Sequence, residues 1–437
     1  MSVNGKAIDV AVVGGGAIGL AIAWRARQRG LSVVVLERGA VGGECASAVA
    51  AGMLAPVSEA EHGEAARSVL ELGLRSARMW PAFAAELLQE SGEDVGLRRS
   101  GTLVVARDED EARELERQLA LRRSLGLGAR RLPPSAARDL EPALAPTVRL
   151  ALEAPEDHSV DPRRLLAALR RACERTGVEV REHARVARVE IERANVDPGS
   201  SGADGHRFDD GRRSYGRSQD GCSQDGCSEG LATGVVLAAG ERVRAERVVV
   251  AAGSWSGELA GLAPHERVAV RPVKGQILRL RDPSGPGLLE RTVRFAGGYL
   301  VPRGDGRYVL GATVEERGFD TQPTVGGVYE LLRHARELVP GVLELQIEEL
   351  SVGFRPATPN NVPAIGPGAV EGLVWATGHH RNGILLAPLT AELVVGALTE
   401  TPDERAPAAK QVAAGQAAAL PGTAATGAPA AATGAPA

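Results

Sequence analysis

The sequence predicts an α/β fold in two parts, a nucleotide-binding domain on a parallel sheet and a second domain on an antiparallel sheet. Three stretches predict it. In the first, Ile8 to Glu37, an apolar run breaks at three glycines, a helical segment follows, and a second apolar run ends at an acid. The second is Arg247 to Trp255 (RVVVAAGSW), another buried-strand run stopped by small residues. The third is 268–314, where apolar and polar residues alternate as in a sheet with one wet face.

Ile8 to Val13 (IDVAVV) has the length and β-branched content of a buried parallel strand. Gly14 permits the tight turn after it, Gly16 lets backbone amides approach a pyrophosphate at a helix N-terminus, and Gly19 lets that helix lie close to the strand. Ala17 to Arg29 reads as the helix and Gly30 as its left-handed cap. Ser32 to Leu36 reads as the second strand, and Glu37, 18 residues beyond Gly19, is placed to accept hydrogen bonds from a nucleotide ribose. A glycine triplet alone is weak; the whole succession makes a Rossmann-like dinucleotide site. No second Gly-x-Gly-x-x-Gly occurs, so the chain supplies one such site.

Gly42 to Leu54 (GGECASAVAAGML) is a run of small residues that lets the backbone come close to a large ligand. Glu59 to Ser91 reads as helical, Thr102 to Ala106 as a strand, and Glu109 to Leu125 as a charged, exposed helix. Asp161-Pro162 opens a further helix as an N-cap followed by proline, continued by Leu165 to Cys173. Strands follow at Val178 to Arg181 and Arg185 to Ile191. The stretch 192–233 has too little apolar surface to fold alone and reads as a disordered insertion in a hairpin that resumes at Gly234 to Ala239 and Glu241 to Arg244. Val328 to Leu338 reads as a helix, another is expected from Ile384, and 405–437, rich in Ala, Pro, Gly and Thr, reads as a disordered tail.

A chain of 437 residues, 44% hydrophobic, can bury the cores of two domains. The net charge is −4 and basic residues are not clustered, which gives nucleic acid no surface. No apolar run approaches the about 18 residues of a membrane span, so no stable membrane insertion is expected. The N-terminal apolar run is too short for a signal peptide and leads straight into the glycine turn. Cys45, Cys173, Cys222 and Cys227 are too few and too scattered for a disulfide framework or a metal site, so no metal is expected and the expected compartment is the cytoplasm.

Near the C-terminal end stand VGFRP (352–356), PAIG (363–366) and LVWATGHHRNGILLAP (373–388), a strand running into a glycine-punctuated turn. With GGECASAVAAGML, PVKGQ, YLVPR and VLGAT in that order, the chain resembles the glycine oxidases of the thiamine-biosynthesis type, within the D-amino-acid oxidase family of FAD-dependent oxidoreductases. The resemblance covers residues 8 to about 400, apart from 192–233. It implies an FAD-binding domain from 1–58, 155–264 and 351–400, and a substrate domain from 59–154 and 265–350.

The resemblance further implies one FAD, noncovalent because no cysteine falls where a covalent link is expected. Gly14, Gly16, Ala17, Ile18, Gly19, Glu37 and Arg38 match the positions that hold its pyrophosphate and adenosine. Ala46, Ser47, Gly52 and Met53 match the loop along the flavin, Val186 matches the adenine contact, and Gly253 lies near the cofactor. Gly378, His379, His380, Arg381, Asn382, Gly383, Ile384 and Leu385 match the turn beneath the isoalloxazine. Tyr299, Arg355 and Arg381 match the groups that meet the substrate carboxylate. A guanidinium can hold a carboxylate through two charge-assisted bonds of roughly 1.5–3 kcal/mol each, and a tyrosine adds a neutral donor. His379 and His380 are expected to be packing neighbours of the flavin.

The implied reaction is oxidative deamination of glycine or a similar small amine (sarcosine, small D-amino acids), by hydride transfer to flavin N5, with O2 reduced to hydrogen peroxide. No side-chain base is then required, in keeping with the lack of an acid/base pair in the sequence. A homo-oligomer, tetrameric in such relatives, is also implied. Two departures stand out: the loop at Glu44-Cys45 is one residue longer than the pattern, and Val309 occupies the place of a lysine usual in sarcosine oxidases. Alternatives are a D-amino-acid dehydrogenase that passes electrons to a quinone, a sarcosine oxidase-like enzyme, and a non-catalytic flavin-binding subunit.

Overall fold

A computed structural model describes residues 8–43, 45–193 and 230–399. The expected tail, the greater part of the expected insertion, Glu44, Cys222 and Cys227 lie outside the described residues. β1 (Ile8–Val13), α1 (Ala17–Gln28) and β2 (Val33–Leu36) form the anticipated strand-helix-strand unit, with Gly30 at φ +85° just past the helix. β1 is central, parallel both to β2 and to Arg242–Val250. Leu373–Thr377 and Glu179–Arg181 extend the parallel sheet on either side, and Ala364–Pro367 closes one edge antiparallel.

The segments expected as separate strands at 241–244 and 247–250 are one strand, Arg242–Val250. Its first half pairs antiparallel with Leu231–Leu237 and alternates exposed with buried; its second half lies between β1 and Leu373–Thr377 and is buried throughout. Covering both faces abolishes the alternation, which is why the sequence reads as two strands. The hairpin arms Val186–Glu192 and Leu231–Leu237 also run further than expected, so residue 192 and residues 231–233 belong to strands and not to a disordered insertion.

One face of this sheet packs against α1, Pro162–Thr176 and Ala387–Thr399, joined by the long helix Glu64–Ser91. Trp24, Trp80 and Phe83 meet edge to face at centroid distances of 5.6 and 5.4 Å. Asp161 caps Pro162–Thr176 as expected, its side chain accepting from the amides of Arg163 and Arg164. The last helix begins at Ala387, not near Ile384, because the Leu385 carbonyl is taken by Ser76 Oγ at 2.7 Å and Trp80 Nε1 at 2.9 Å, ahead of any helical amide.

The second sheet runs in the order Gln346–Ala357, Arg271–Arg281, Arg307–Gly311, Gly298–Pro302, Thr292–Phe295, Thr102–Ala106, Leu150–Ala154, Arg130–Leu132. It is mixed and not purely antiparallel, since Thr102–Ala106 pairs parallel with Thr292–Phe295. Side-chain alternation reports the pleat and says nothing of direction. Leu150–Ala154 (LALEA) escapes a strand reading because it is buried throughout and rich in weak β-formers. The helix Val325–Leu338 covers one face of this sheet through Leu331, Ala335 and Leu338. Gln346–Ala357 pairs along its length with Arg271–Arg281, continuing past residue 350 to deliver Arg355 towards the first sheet.

A Cβ at Gly19 would stand 1.9 Å from the Gly14 carbonyl oxygen, so the close approach of α1 to β1 requires glycine there. Gly19→Ala is therefore expected to lose about 1–3 kcal/mol of stability from overpacking. Urea unfolding measures it, and an unchanged midpoint would contradict the packing argument.

Candidate active site

A continuous cavity of about 1530 Å³ runs from Glu37 to Arg355 and Arg381, between the two sheets. It exceeds the roughly 300–1,000 Å³ of most small-ligand sites, as a dinucleotide with a substrate beside it requires. At its nucleotide end Gly14 has φ +109°, and a Cβ there would meet the Ala251 carbonyl oxygen at 2.5 Å. The ends of β1, β2 and Arg242–Val250 thus converge on the N-terminus of α1. Ala17 N donates to Ser47 Oγ at 3.1 Å, which docks the small-residue loop onto that terminus.

Glu37 accepts from Gly15 N at 2.6 Å and Gly39 N at 3.0 Å, bracing the turn. A carboxylate has about four acceptor sites, so capacity for a ribose remains. The Arg38 guanidinium lies 3.4 Å from the centroid of the Trp255 ring, a cation–π contact. A Cβ at Gly253 would meet nothing within 4 Å. A helix N-terminus, a braced carboxylate and open space above Gly253 together fit a dinucleotide. Val186 lines the same end.

Further in, the wall turns apolar. Ala51, Ile277, Val301, Val309 and Ala312 are buried together, with Met53 and Tyr299 packed against them. The turn after Leu373–Thr377 faces this region. Its Gly378 has φ +77°, and Ala357 bridges His379, which ties the turn to the strand carrying Arg355. His379, His380, Arg381, Asn382, Gly383 and Ile384 line the cavity. Gly19, Gly378 and Leu385 do not: Gly19 spaces α1 from β1, Gly378 makes the bend, and Leu385 is held behind the wall by Ser76 and Trp80.

Two glycines make room for the innermost polar groups. Arg355 lies over Gly275, where a Cβ would be 2.6 Å from Nη1, and Tyr299 lies over Gly311, where a Cβ would be 2.8 Å from its hydroxyl oxygen. Arg355 Nη1 donates to the Thr313 carbonyl at 3.0 Å and the Lys274 carbonyl at 3.4 Å, and no carboxylate pairs with it among the described residues. Burial raises the Tyr299 hydroxyl above its usual pKa against the opposing charge of Arg355, so it stays a neutral donor. Burial likewise pushes His379 down to about 3 and His380 down to about 4, leaving both rings neutral near pH 7. His379 Nε2 lies 3.0 Å from Thr390 Oγ1.

Arg381 is in the cavity wall but is already paired, with Glu59 at 3.1 Å and with Glu61. Arg381, expected with Arg355 and Tyr299 at the substrate carboxylate, thus shares its charge with Glu59, which the sequence reading did not single out. Arg294 was also missed. It pairs with Glu59 at 3.3 Å and faces the cavity beside Tyr299.

A polar network behind the wall was missed as well. The Lys274 side chain, fully buried, donates to Asp320 at 2.7 Å and to the Gln322 carbonyl. Gln276 Nε2 donates to Glu315 at 2.8 Å and Thr324 at 2.9 Å, and Thr313 Oγ1 donates to Glu315 at 2.6 Å. This clamps the 312–324 loop and with it the two carbonyls that orient Arg355. The signal lay in PVKGQ, whose polar residues flank Gly275 and include the sole lysine of the described residues.

Comparison with known proteins agrees with this geometry. Residues 9–397 match the DAO family, described as FAD dependent oxidoreductase. The chain belongs to that family. It is 34% identical to the glycine oxidase of Geobacillus kaustophilus over 88% of this chain and 91% of that one. The crystal structure of a glycine oxidase from the same organism superposes with a TM-score of 0.74 at 33% identity, covering 92% of this chain and 97% of the other. The Bifunctional protein ThiO/ThiG of Synechocystis sp. is 33% identical over 88% of this chain but only 51% of its own length. This DAO-family chain is thus an FAD-dependent oxidoreductase.

Two outcomes follow from the site. Lys274→Met frees the 312–324 loop and is expected to weaken binding of small carboxylates to the FAD-loaded protein about tenfold, read by flavin absorbance; unchanged binding would contradict the clamp. His379 has its folded pKa depressed to about 3 against 6.5, so the stability it contributes is full above pH 6.5 and lost as pH falls. At pH 5 that loss is about 2 kcal/mol, and His379→Gln should reduce the pH 7 to pH 5 stability difference by this amount in urea unfolding. An undiminished difference would contradict burial of the neutral ring.

Proposed function

We propose that this protein catalyses the oxidative deamination of glycine or a similar small amine, such as sarcosine or a small D-amino acid, with O2 as electron acceptor and hydrogen peroxide as product. The observation that carries this reading is the Arg355 guanidinium, half-buried in the cavity wall and held by two main-chain carbonyls and the neutral Tyr299 hydroxyl, with no carboxylate paired to it among the described residues. A guanidinium so placed keeps its outer edge for a substrate carboxylate.

When bound, FAD supplies the two-electron acceptor for the α-carbon hydride and passes the electrons on to O2. The chain's own residues position the donor. Arg355 and Tyr299 hold the carboxylate, which fixes the α-carbon against the region walled by Met53, Ile277 and the 379–384 turn. The apolar wall excludes water until the imine is released. Burial makes both turn histidines weak bases, so neither is assigned the amine proton, and Arg381 is bound to Glu59 in the cavity wall. Similarity to glycine oxidase and to ThiO/ThiG supports a place in the synthesis of the thiamine thiazole.

The purified protein should be yellow and release peroxide with at least one of glycine, sarcosine, D-alanine or D-proline. Arg355→Met should lower kcat/KM by at least about 100-fold, near 3 kcal/mol, for the loss of two charge-assisted bonds, while flavin absorbance and melting temperature persist. Unchanged kinetics in that variant would overturn the proposal.

A further inference from the structure

The loop matched to the flavin is held from behind by guanidinium groups. Arg279 Nη2 donates to the Ala48 carbonyl at 2.6 Å, Arg163 Nε to the same carbonyl at 3.1 Å, and Arg303 Nη2 to the Ala51 carbonyl at 2.8 Å. Arg303, just after Gly298–Pro302, also donates from Nη1 to the Val160 carbonyl at 2.7 Å. None of the three lines the active-site cavity, whereas Val49, Ala50, Ala51 and Gly52 do. Two consecutive amides of this loop are left over: Ala51 and Gly52 are buried, and among the described residues neither N–H has an acceptor. Buried amides without a partner are rare, so the pair points to an acceptor brought by a ligand.

The three guanidiniums differ in charge balance. Arg163 is paired through two bonds to Glu349, at 2.8 and 2.7 Å, and Arg279 lies 3.8 Å from the same carboxylate. Among the described residues Arg303 has no carboxylate within 4 Å; the acid whose field reaches it, Asp161, already caps a helix and pairs with Arg307 at 3.4 Å. Burial pushes the Arg303 guanidinium down to about 10, which leaves it charged near pH 7. A trans peptide directs its N–H opposite to its C=O, so with the Ala51 carbonyl turned to Arg303 the Gly52 N–H points to the other side. We propose that Arg303, without touching the cofactor, polarises the Ala51–Gly52 peptide so that its amide binds an electron-rich edge of the flavin and raises the flavin reduction potential. This rests on the reading of 46–53 as the loop along the flavin.

Charge sets the sign of the effect. A flavin ring that takes two electrons and one proton gains one negative charge. A guanidinium one peptide away favours that state over the oxidised one, and hydrogen bonds in series strengthen each other. Arg303 is thus a positioning residue whose influence has two parts, the orientation of the peptide and the positive charge behind it. A lysine keeps the charge and loses the forked geometry, while a methionine keeps neither.

The test is equilibrium reduction by dithionite against a dye of known potential, on the FAD-loaded wild type, Arg303→Met and Arg303→Lys, with free FAD in the same buffer. Arg303→Met is expected to lower the two-electron potential by at least about 30 mV, a tenfold change in the preference for reduced over oxidised flavin, with FAD still bound. Arg303→Lys should recover at least half of that loss, and the wild-type potential should lie above that of free FAD. A potential unmoved in Arg303→Met, or lowered as far in Arg303→Lys as in Arg303→Met, overturns the proposal, because a merely structural clamp changes melting temperature and FAD affinity instead. Should Arg303→Met not fold, a wild-type potential at or below that of free FAD overturns it. A protein that takes up no FAD sinks the loop reading and this inference together; a yellow protein whose potential does not respond to Arg303 sinks this inference alone.

Discussion

A guanidinium ordinarily enters a protein interior with a carboxylate beside it, and Arg355 does not. Its Nη1 is held by two main-chain carbonyls that belong to different segments, the Lys274 strand and the 312–324 loop. Each is fixed by a buried polar network centred on Lys274 and Glu315. The positive charge is therefore positioned without being neutralised, which a site for anionic substrates needs. The second sheet serves this end, because Gly275 and Gly311 clear the space in which Arg355 and Tyr299 lie.

The first sheet does the complementary work. Its parallel strands end together at the glycine turn, where Gly14 and Gly19 allow contacts that a Cβ would block. The turn at 378–384 leaves the same sheet and bridges Ala357, two residues beyond Arg355. Cofactor floor and substrate anchor are thus joined by backbone, and long side chains are not asked to set the distance. Glu59 then shares one negative charge between Arg294 and Arg381 in the cavity wall.

Much of the first domain was legible because its chemistry is local. The glycine spacing, the β-branched run and the acid at Glu37 lie within one continuous stretch, and each residue type has one mechanical reason to be there. Arg355, Tyr299 and the histidine-containing turn came from resemblance, and the cavity gathers them. Glu59, Arg294 and the Lys274 network were not legible, since their meaning depends on partners far away in the chain. Leu385 shows the converse: its place in a matched motif suggested the ring, while its carbonyl in fact anchors the turn to Ser76 and Trp80. Strand direction in the second sheet was invisible for the reason that alternation encodes faces only.

The most direct test of a positioned, uncompensated guanidinium at the flavin is an experimental structure of the FAD-loaded protein with glycolate, which keeps the carboxylate of glycine and lacks its amine. The account predicts that carboxylate on the free edge of Arg355, within hydrogen-bond distance of the Tyr299 hydroxyl, with the adjoining carbon over the flavin ring. A carboxylate held elsewhere, or an Arg355 side chain turned into a pairing with an acidic residue, would contradict it.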